Sequence, residues 1–453
     1  MHVADDPALS ARAAALAAAG VKYLLASYVD LHGVSKCKAV PLSHMAQMMA
    51  GSELFTGAAL DGVPQDVSDE EVAALPDLAS LVVLPWRRDT AWLASDLHLA
   101  GAPFEACSRG ILKRQLARAA DLGFRFNLGI ETEFFILRDT PAGGAVPVGT
   151  RDTLAKPAYD VASTLDSFAV LEDIVTTMNG LGWDVYSFDH EDGNGQFEID
   201  FSYADALTMA DRFVFFRLLA NEVSKRHGCF ATFMPKPYGD RAGSGAHFNM
   251  SLADPHSGRN SFECDADPRG CGLSELGYQF IAGVLRHMPA ICAVVAPTVN
   301  SYKRLVKSGS MSGFTWAPVY RCYGNNNRTN TLRIPKGGGR VECRAADIAC
   351  NPYLGAALVL AAGLEGISAG LDPGAPHNDN LYLKSPAELA ALGIEQLPRD
   401  LGAAVHAFAA DGLAREVFGP LMHDAYTAYK RDEWAAFQLH VSDWELERYL
   451  EFF

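Results

Sequence analysis

Polar residues in this chain recur at a spacing of two in several short, separated segments, and that spacing constrains the fold more than any other feature. Successive side chains of a β-strand point to opposite faces. Glu131 and Glu133 are therefore expected on one face of a strand, with Thr132 and Phe134 on the other. His247, Asn249 and Ser251 alternate with Ala246, Phe248, Met250 and Leu252, and Arg340, Glu342 and Arg344 alternate with Val341 and Cys343. A fourth segment joins Asp189-His190-Glu191-Asp192 to Gly195-Gln196-Phe197-Glu198-Ile199. Such strands offer one face to a core and the other to a charged cleft. An ordinary solvated face would mix Lys, Thr and Ser freely, whereas here acids gather on two segments and an Arg-Glu-Arg row on a third. Five carboxylates and one imidazole, brought together, suit two hard divalent cations and point to an enzyme that handles phosphate.

The rest of the chain agrees with a soluble globular enzyme. Its 453 residues can bury one or more large cores, and 49% hydrophobic with 20% charged residues is ordinary for that class. The 38 basic and 54 acidic residues give a net charge of −16, which argues against a nucleic-acid or anionic-membrane partner. Nine cysteines, odd in number and with no Cys-x-x-Cys pair, fit reduced thiols in the cytoplasm. Asp5 and Asp6 precede an alanine-rich helix, with no basic-then-apolar leader. The apolar stretch 354–364 is too short to span a bilayer and reads as a buried helix.

The pattern predicts a helix over 7–19, a hairpin from strands 22–30 and 34–40, and short strands at 81–85 and 91–97. A helix over 108–122, capped by Ser108, opens a larger unit. Strands are expected at 124–137, 183–190, 196–201, 246–252 and 340–344, and helices at 166–181, 204–226 and 274–294. The segment after Asn351 is expected to be mostly helical.

At these motifs the chain resembles the glutamine synthetase family. The similarity extends through Ala231-Thr232-Phe233-Met234-Pro235-Lys236-Pro237, Asn300-Ser301-Tyr302-Lys303-Arg304-Leu305, Asn327-Arg328-Thr329, Arg333-Ile334-Pro335, Asn351-Pro352-Tyr353-Leu354 and Asn380-Leu381-Tyr382. The Asp-His-Glu-Asp run and Thr315-Trp316-Ala317-Pro318 look most like the branch of type III glutamine synthetases and γ-glutamylmethylamide synthetases. The resemblance implies an α+β fold: a small β-grasp domain over 1–104 and, over 105–453, a catalytic domain with a curved antiparallel sheet and helices. It also implies a homo-oligomer, a dodecamer of two hexameric rings, with each active site between neighbouring subunits.

Carried over by motif, Glu133, Glu191 and Glu198 would hold one metal and Glu131, His247 and Glu342 the second, as Mg²⁺ or Mn²⁺, with ATP as co-substrate. Arg304 and Arg344 match positions that grip the substrate carboxylates, Gly243 meets glutamate through its backbone, and Arg328 stabilises the transferred phosphoryl group. Glu191 and Arg304 complete the catalytic set with Arg328. Ser251, Arg333, Lys336 and Arg340 would lie along the nucleotide.

Two departures bear on the acceptor. Ammonia users carry an Asp in a Phe-Asp-Gly-Ser-Ser run and a Glu in a Tyr-Glu-Ala-Pro run. Here Thr56 stands in Phe55-Thr56-Gly57-Ala58-Ala59, and Trp316 precedes Ala317-Pro318. Tyr159 remains where the family contacts the amine. A cage with fewer charges and more apolar surface fits ATP-dependent ligation of L-glutamate to a small primary amine, with methylamine first. Ammonia remains open because Asp61 lies five residues beyond Thr56; ethanolamine, a polyamine or an inactive structural relative are the other readings.

Overall fold

The computed structural model describes residues 6–141, 143–309, 311, 313 and 315–453. Asp5, read with Asp6 as the acidic start of the chain, lies outside them. Asp6 caps the first helix, Pro7–Ala18, by accepting from the Ala8 amide at 2.9 Å. A mixed sheet follows, with Tyr23–Val29 paired antiparallel to Ser35–Pro41 and parallel to Thr90–Leu99. Val72–Pro76 and Glu53–Phe55 extend it on the other side.

Helix Ser108–Asp121 begins the remainder, and its cap is Cys107 rather than Ser108. The Cys107 sulfur accepts from the Gly110 amide at 3.3 Å, while the Ser108 hydroxyl is turned inward and accepts from Asn351 Nδ2 at 3.1 Å. Asn351 also caps the buried helix Pro352–Ser368 and donates to the Leu31 carbonyl at 3.2 Å. One amide therefore satisfies groups from three segments far apart in sequence. Arg109, buried beside it, reaches Asp77 at 2.7 Å, Asp96 at 2.8 Å and Asp211 at 3.0 Å. These contacts tie the first sheet to the helices behind it.

The expected single strand over 124–137 is two strands, Arg125–Ile130 and Thr132–Asp139, and they belong to different sheets. The first pairs with Phe248–Ala253 in a seven-stranded sheet that includes Val341–Cys343; the second pairs with Gln196–Phe201 in a five-stranded sheet that includes Val185–His190. The chain changes partner at Glu131, so the uniform face expected for Glu131 and Glu133 is replaced by a seam between sheets. The expected all-antiparallel arrangement also has an exception, the parallel pair Tyr320–Asn325 and Asn330–Ile334.

The helix expected over 166–181 is divided into Val161–Asp166 and Phe168–Gly180 at Ser167. Helix Glu275–Val295 is long and apolar enough to cross a membrane by length and composition, yet it is mostly buried. Its main neighbour is Pro352–Ser368, and Leu401–Ala410 covers another flank. The apolar stretch 354–364 lies inside Pro352–Ser368, as a buried helix.

Candidate active site at the sheet seam

The change of partner at Glu131 builds the site. Its amide donates to the His247 carbonyl at 3.2 Å, and the Glu133 amide donates to the Gly245 carbonyl at 3.2 Å, so the seam is stitched to the approach of strand Phe248–Ala253. Glu131, His247 and Glu342 then present ligand atoms within 4.8 Å of one another on the seven-stranded side. Glu133, Glu191 and Glu198 do the same on the five-stranded side. His247 Nε2 lies 3.8 Å from Glu133 Oε1, so the two groups are adjacent.

Each group is held by its surroundings. Asn249 Nδ2 donates to Glu131 Oε1 at 2.8 Å, and His247 Nδ1 faces Glu131 Oε2 at 2.6 Å. The Gly245 amide donates to Glu133 Oε2 at 2.7 Å. A Cβ on Gly245 would lie 2.7 Å from His247 Nε2 and 2.8 Å from Arg304 Nη2, so only glycine lets the backbone pass. Glu342 is fully buried between two guanidiniums: Arg333 Nη1 donates to its Oε2 at 2.7 Å and Arg344 Nη1 to its Oε1.

The electrostatics suit a cation. Burial, followed by the neighbouring Glu133 and Asp189, pushes the Glu191 carboxyl up to about 8. Glu198 is raised well above the usual range by burial and by Glu131, Glu191 and Glu133. Burial and Arg344 lower His247 to about 3, which keeps the imidazole neutral and able to donate a lone pair. Carboxylates held this close repel in a low dielectric, and a divalent cation converts that repulsion into attraction. Hard oxygen donors with one imidazole fit Mg²⁺ or Mn²⁺.

A cavity of about 560 Å³ opens over both groups, lined by Glu131, Glu133, Glu191, Glu198 and His247 together with Gly243, Arg304, Arg328, Arg333 and Arg344. Tyr159 and Trp316 form part of its wall, 70% and 48% exposed, and both have left-handed backbone conformations with φ of 63° and 58°. The segment carrying Trp316 is held from below, since Tyr382 Oη donates to the Ala317 carbonyl at 2.5 Å. A second cavity of about 430 Å³ holds Ser251 and Arg340 with Tyr186, Tyr203 and Gly339. Glu131 and Asp200 line both cavities, so the two are contiguous there.

Three residues expected to meet nucleotide or acceptor do not line the cavity expected for them. Arg333 lines the carboxylate cavity because it pairs with Glu342, and Lys336 is exposed and lines neither cavity. Thr56 is exposed, just after strand Glu53–Phe55, and lines neither cavity. Three acids on the cavity wall, Asp189, Asp192 and Asp200, were assigned no role from sequence. Asp189 pairs across the strands with Glu198, and Asp200 follows Glu198 by two on the same strand. Period-two spacing could have found Asp200.

Residues 105–449 match the family described as glutamine synthetase, catalytic domain. The chain belongs to the glutamine synthetase family. Among its relatives, a glutamate–methylamine ligase of Methyloversatilis universalis is 44% identical, over 96% of this chain and 97% of that protein. A glutamine synthetase of Rhizobium leguminosarum bv. phaseoli is 39% identical over 95% and 97%. Among solved structures, a GmaS/ADP complex superposes with a TM-score of 0.90 at 41% identity, covering 97% of this chain and 99% of that one. Apo GmaS without ligand gives 0.88 at 40% identity, with the same coverage. The glutamine synthetase fold thus accounts for nearly the whole chain.

Proposed function

We propose that this member of the glutamine synthetase family ligates L-glutamate to a small primary amine, methylamine first, at the expense of ATP. The observation that carries the reading is the cavity wall: two exposed aromatic rings, Tyr159 and Trp316, beside five of the six candidate metal ligands and four arginines. The similarity to a glutamate–methylamine ligase supports it.

A carboxylate does not condense with an amine in water because its oxygen is a poor leaving group. Transfer of the γ-phosphoryl group of ATP to the glutamate side-chain oxygen gives γ-glutamyl phosphate and ADP. The amine then attacks the acyl carbon, loses a proton, and phosphate departs, leaving the γ-glutamyl amide. Glu133, Glu191 and Glu198 would hold one divalent cation, and Glu131, His247 and Glu342 the other. Bound there, the cations neutralise the phosphates and the developing charge of the transfer.

Arg304 and Arg344 grip the glutamate carboxylates with the Gly243 backbone, and Arg328, exposed at the rim, stabilises the moving phosphoryl group. Ser251 and Arg340 line the nucleotide's course through the second cavity. Glu191 and Tyr159 line the same cavity. Residues 1–104 act as a separate domain beside the catalytic unit 105–453, in a dodecamer of two hexameric rings. The Thr56 of one subunit then faces the cavity of the next, which fits its absence from the cavity of its own chain. Nine unpaired cysteines favour the reducing cytoplasm.

Phosphate release measured with ATP, glutamate and a panel of amines tests the reading. Methylamine is expected to give the highest kcat/KM. A clear preference for ammonia would make glutamine synthesis the better assignment, and no release with any amine would leave an inactive relative.

A further inference from the structure

Asp152 lies in an irregular segment, 38 residues before His190, and its carboxylate is completely buried. A buried carboxylate is costly unless its oxygens are satisfied. Three donors satisfy this one, from the end of one strand and the loop that follows it: His190 Nε2 at 2.7 Å, Asn194 Nδ2 at 2.8 Å and the Gly195 amide at 2.5 Å. That loop joins strands Val185–His190 and Gln196–Phe201, and it carries Glu191.

The His190 ring has no freedom. Its Nδ1 faces the Glu191 carbonyl at 2.8 Å, and its plane meets the Phe197 ring edge-on at 5.1 Å. Its own backbone carbonyl accepts from the Tyr159 amide at 2.8 Å. Gly195 has φ of 79° and packs so closely on Pro147 that an added Cβ would lie 3.1 Å from Pro147 Cα. The loop is thus clamped at both ends, and Asp152 is the residue that joins the clamps.

We propose that Asp152 is a positioning residue: through His190, Asn194 and the Gly195 amide it fixes the loop from which Glu191 reaches Glu133 and Glu198, and so sets the affinity of that group for a divalent cation. It lines neither cavity, and none of its three partners is a candidate metal ligand. Groups that orient ligands in this manner typically change metal affinity by about 10–100-fold when altered. The inference rests on the two-cation reading above.

Calorimetric titration of the apo-oligomer with Mn²⁺ alone, with the electron paramagnetic resonance of the bound ion, tests it. Wild type should bind two ions per chain; fewer would sink the two-cation reading itself and leave Asp152 nothing to position. Asp152→Asn keeps the shape but presents an amide donor to donors, and should weaken one of the two sites by about tenfold or more while leaving the other unchanged. Asn194→Ala removes one tie and should shift the same site in the same direction by less. Unchanged affinities in both folded variants overturn the proposal, as does equal weakening of both sites, which would mark a general packing defect. If Asp152→Asn does not fold, Asn194→Ala decides alone.

Discussion

Arg344 Nη2 donates to the Trp316 carbonyl at 3.1 Å, while Nη1 of the same guanidinium pairs with Glu342. A buried residue beside the ligand strand therefore hangs the indole segment over the cavity. If the indole sets acceptor choice, Trp316→Glu with Thr56→Asp should move the methylamine-to-ammonia ratio of kcat/KM toward ammonia. One buried methyl group is worth about 0.8 kcal/mol, or several-fold, and a larger change means that ammonium capture has been restored as well. Steady-state kinetics at matched free-base amine concentrations check this.

Glu133→Gln should lower turnover by about two orders of magnitude or more at saturating Mg²⁺, because it removes a charged ligand from phosphoryl transfer. Its folding should change little, since Gly245 can still donate to the retained amide oxygen. Glu342→Gln should lose activity similarly and also lose thermal stability, because Arg333 and Arg344 would then face a neutral amide. Phosphate release and thermal melts separate the two effects.

Thr56 does not line the cavity of its own chain, so a shared site predicts complementation. Mixed oligomers of an N-terminal variant near Thr56 and Glu342→Gln should regain part of the wild-type activity. Activity in verified mixed rings that never exceeds that of either parent would place each site within one subunit.

Arg109→Met should destabilise the protein by about 3–5 kcal/mol, toward the lower end because Asp77 stays partly exposed. The loss follows from leaving Asp211, Asp96 and Asp77 without their common counter-ion. Equilibrium denaturation measures it.

His287 supplies a pH-dependent contribution. Burial alone would lower it, but the hydrogen bond to Asp411 and the nearby Glu365 carboxylate leave it raised above its ordinary value. The resulting stability is full below about pH 6.5 and fades as the pH rises through the raised folded value. Wild type should therefore exceed His287→Gln in Tm by more at about pH 6 than at about pH 9. An equal difference at both would show that His287 contributes by packing only.

The six metal-ligand candidates were legible because strand alternation and motif order both depend on local sequence. Their geometry was not. Residues 124–137 form one unbroken strand-like pattern, and nothing local says that the hydrogen-bonding partner changes at Glu131. The strands Tyr320–Asn325 and Asn330–Ile334 were hidden by Asn325-Asn326-Asn327, which reads as a turn. Cys107 displaced Ser108 as a cap because the serine hydroxyl was needed by Asn351. Asp152 stands in a segment without periodicity, so only its burial distinguishes it.

Tyr159 and Trp316 share a backbone conformation that glycine adopts freely and other residues adopt at about 1–2 kcal/mol. On the proposed reading, in which both rings meet the amine, this gives acceptor evolution a direction. Replacing either ring by glycine would release strain and empty the wall in one step, whereas a lineage with glycine there would have to absorb the strain before any ring could touch an amine. Broadening of the acceptor range should thus be reached by single substitutions, and its narrowing only in backgrounds that already have stability to spare.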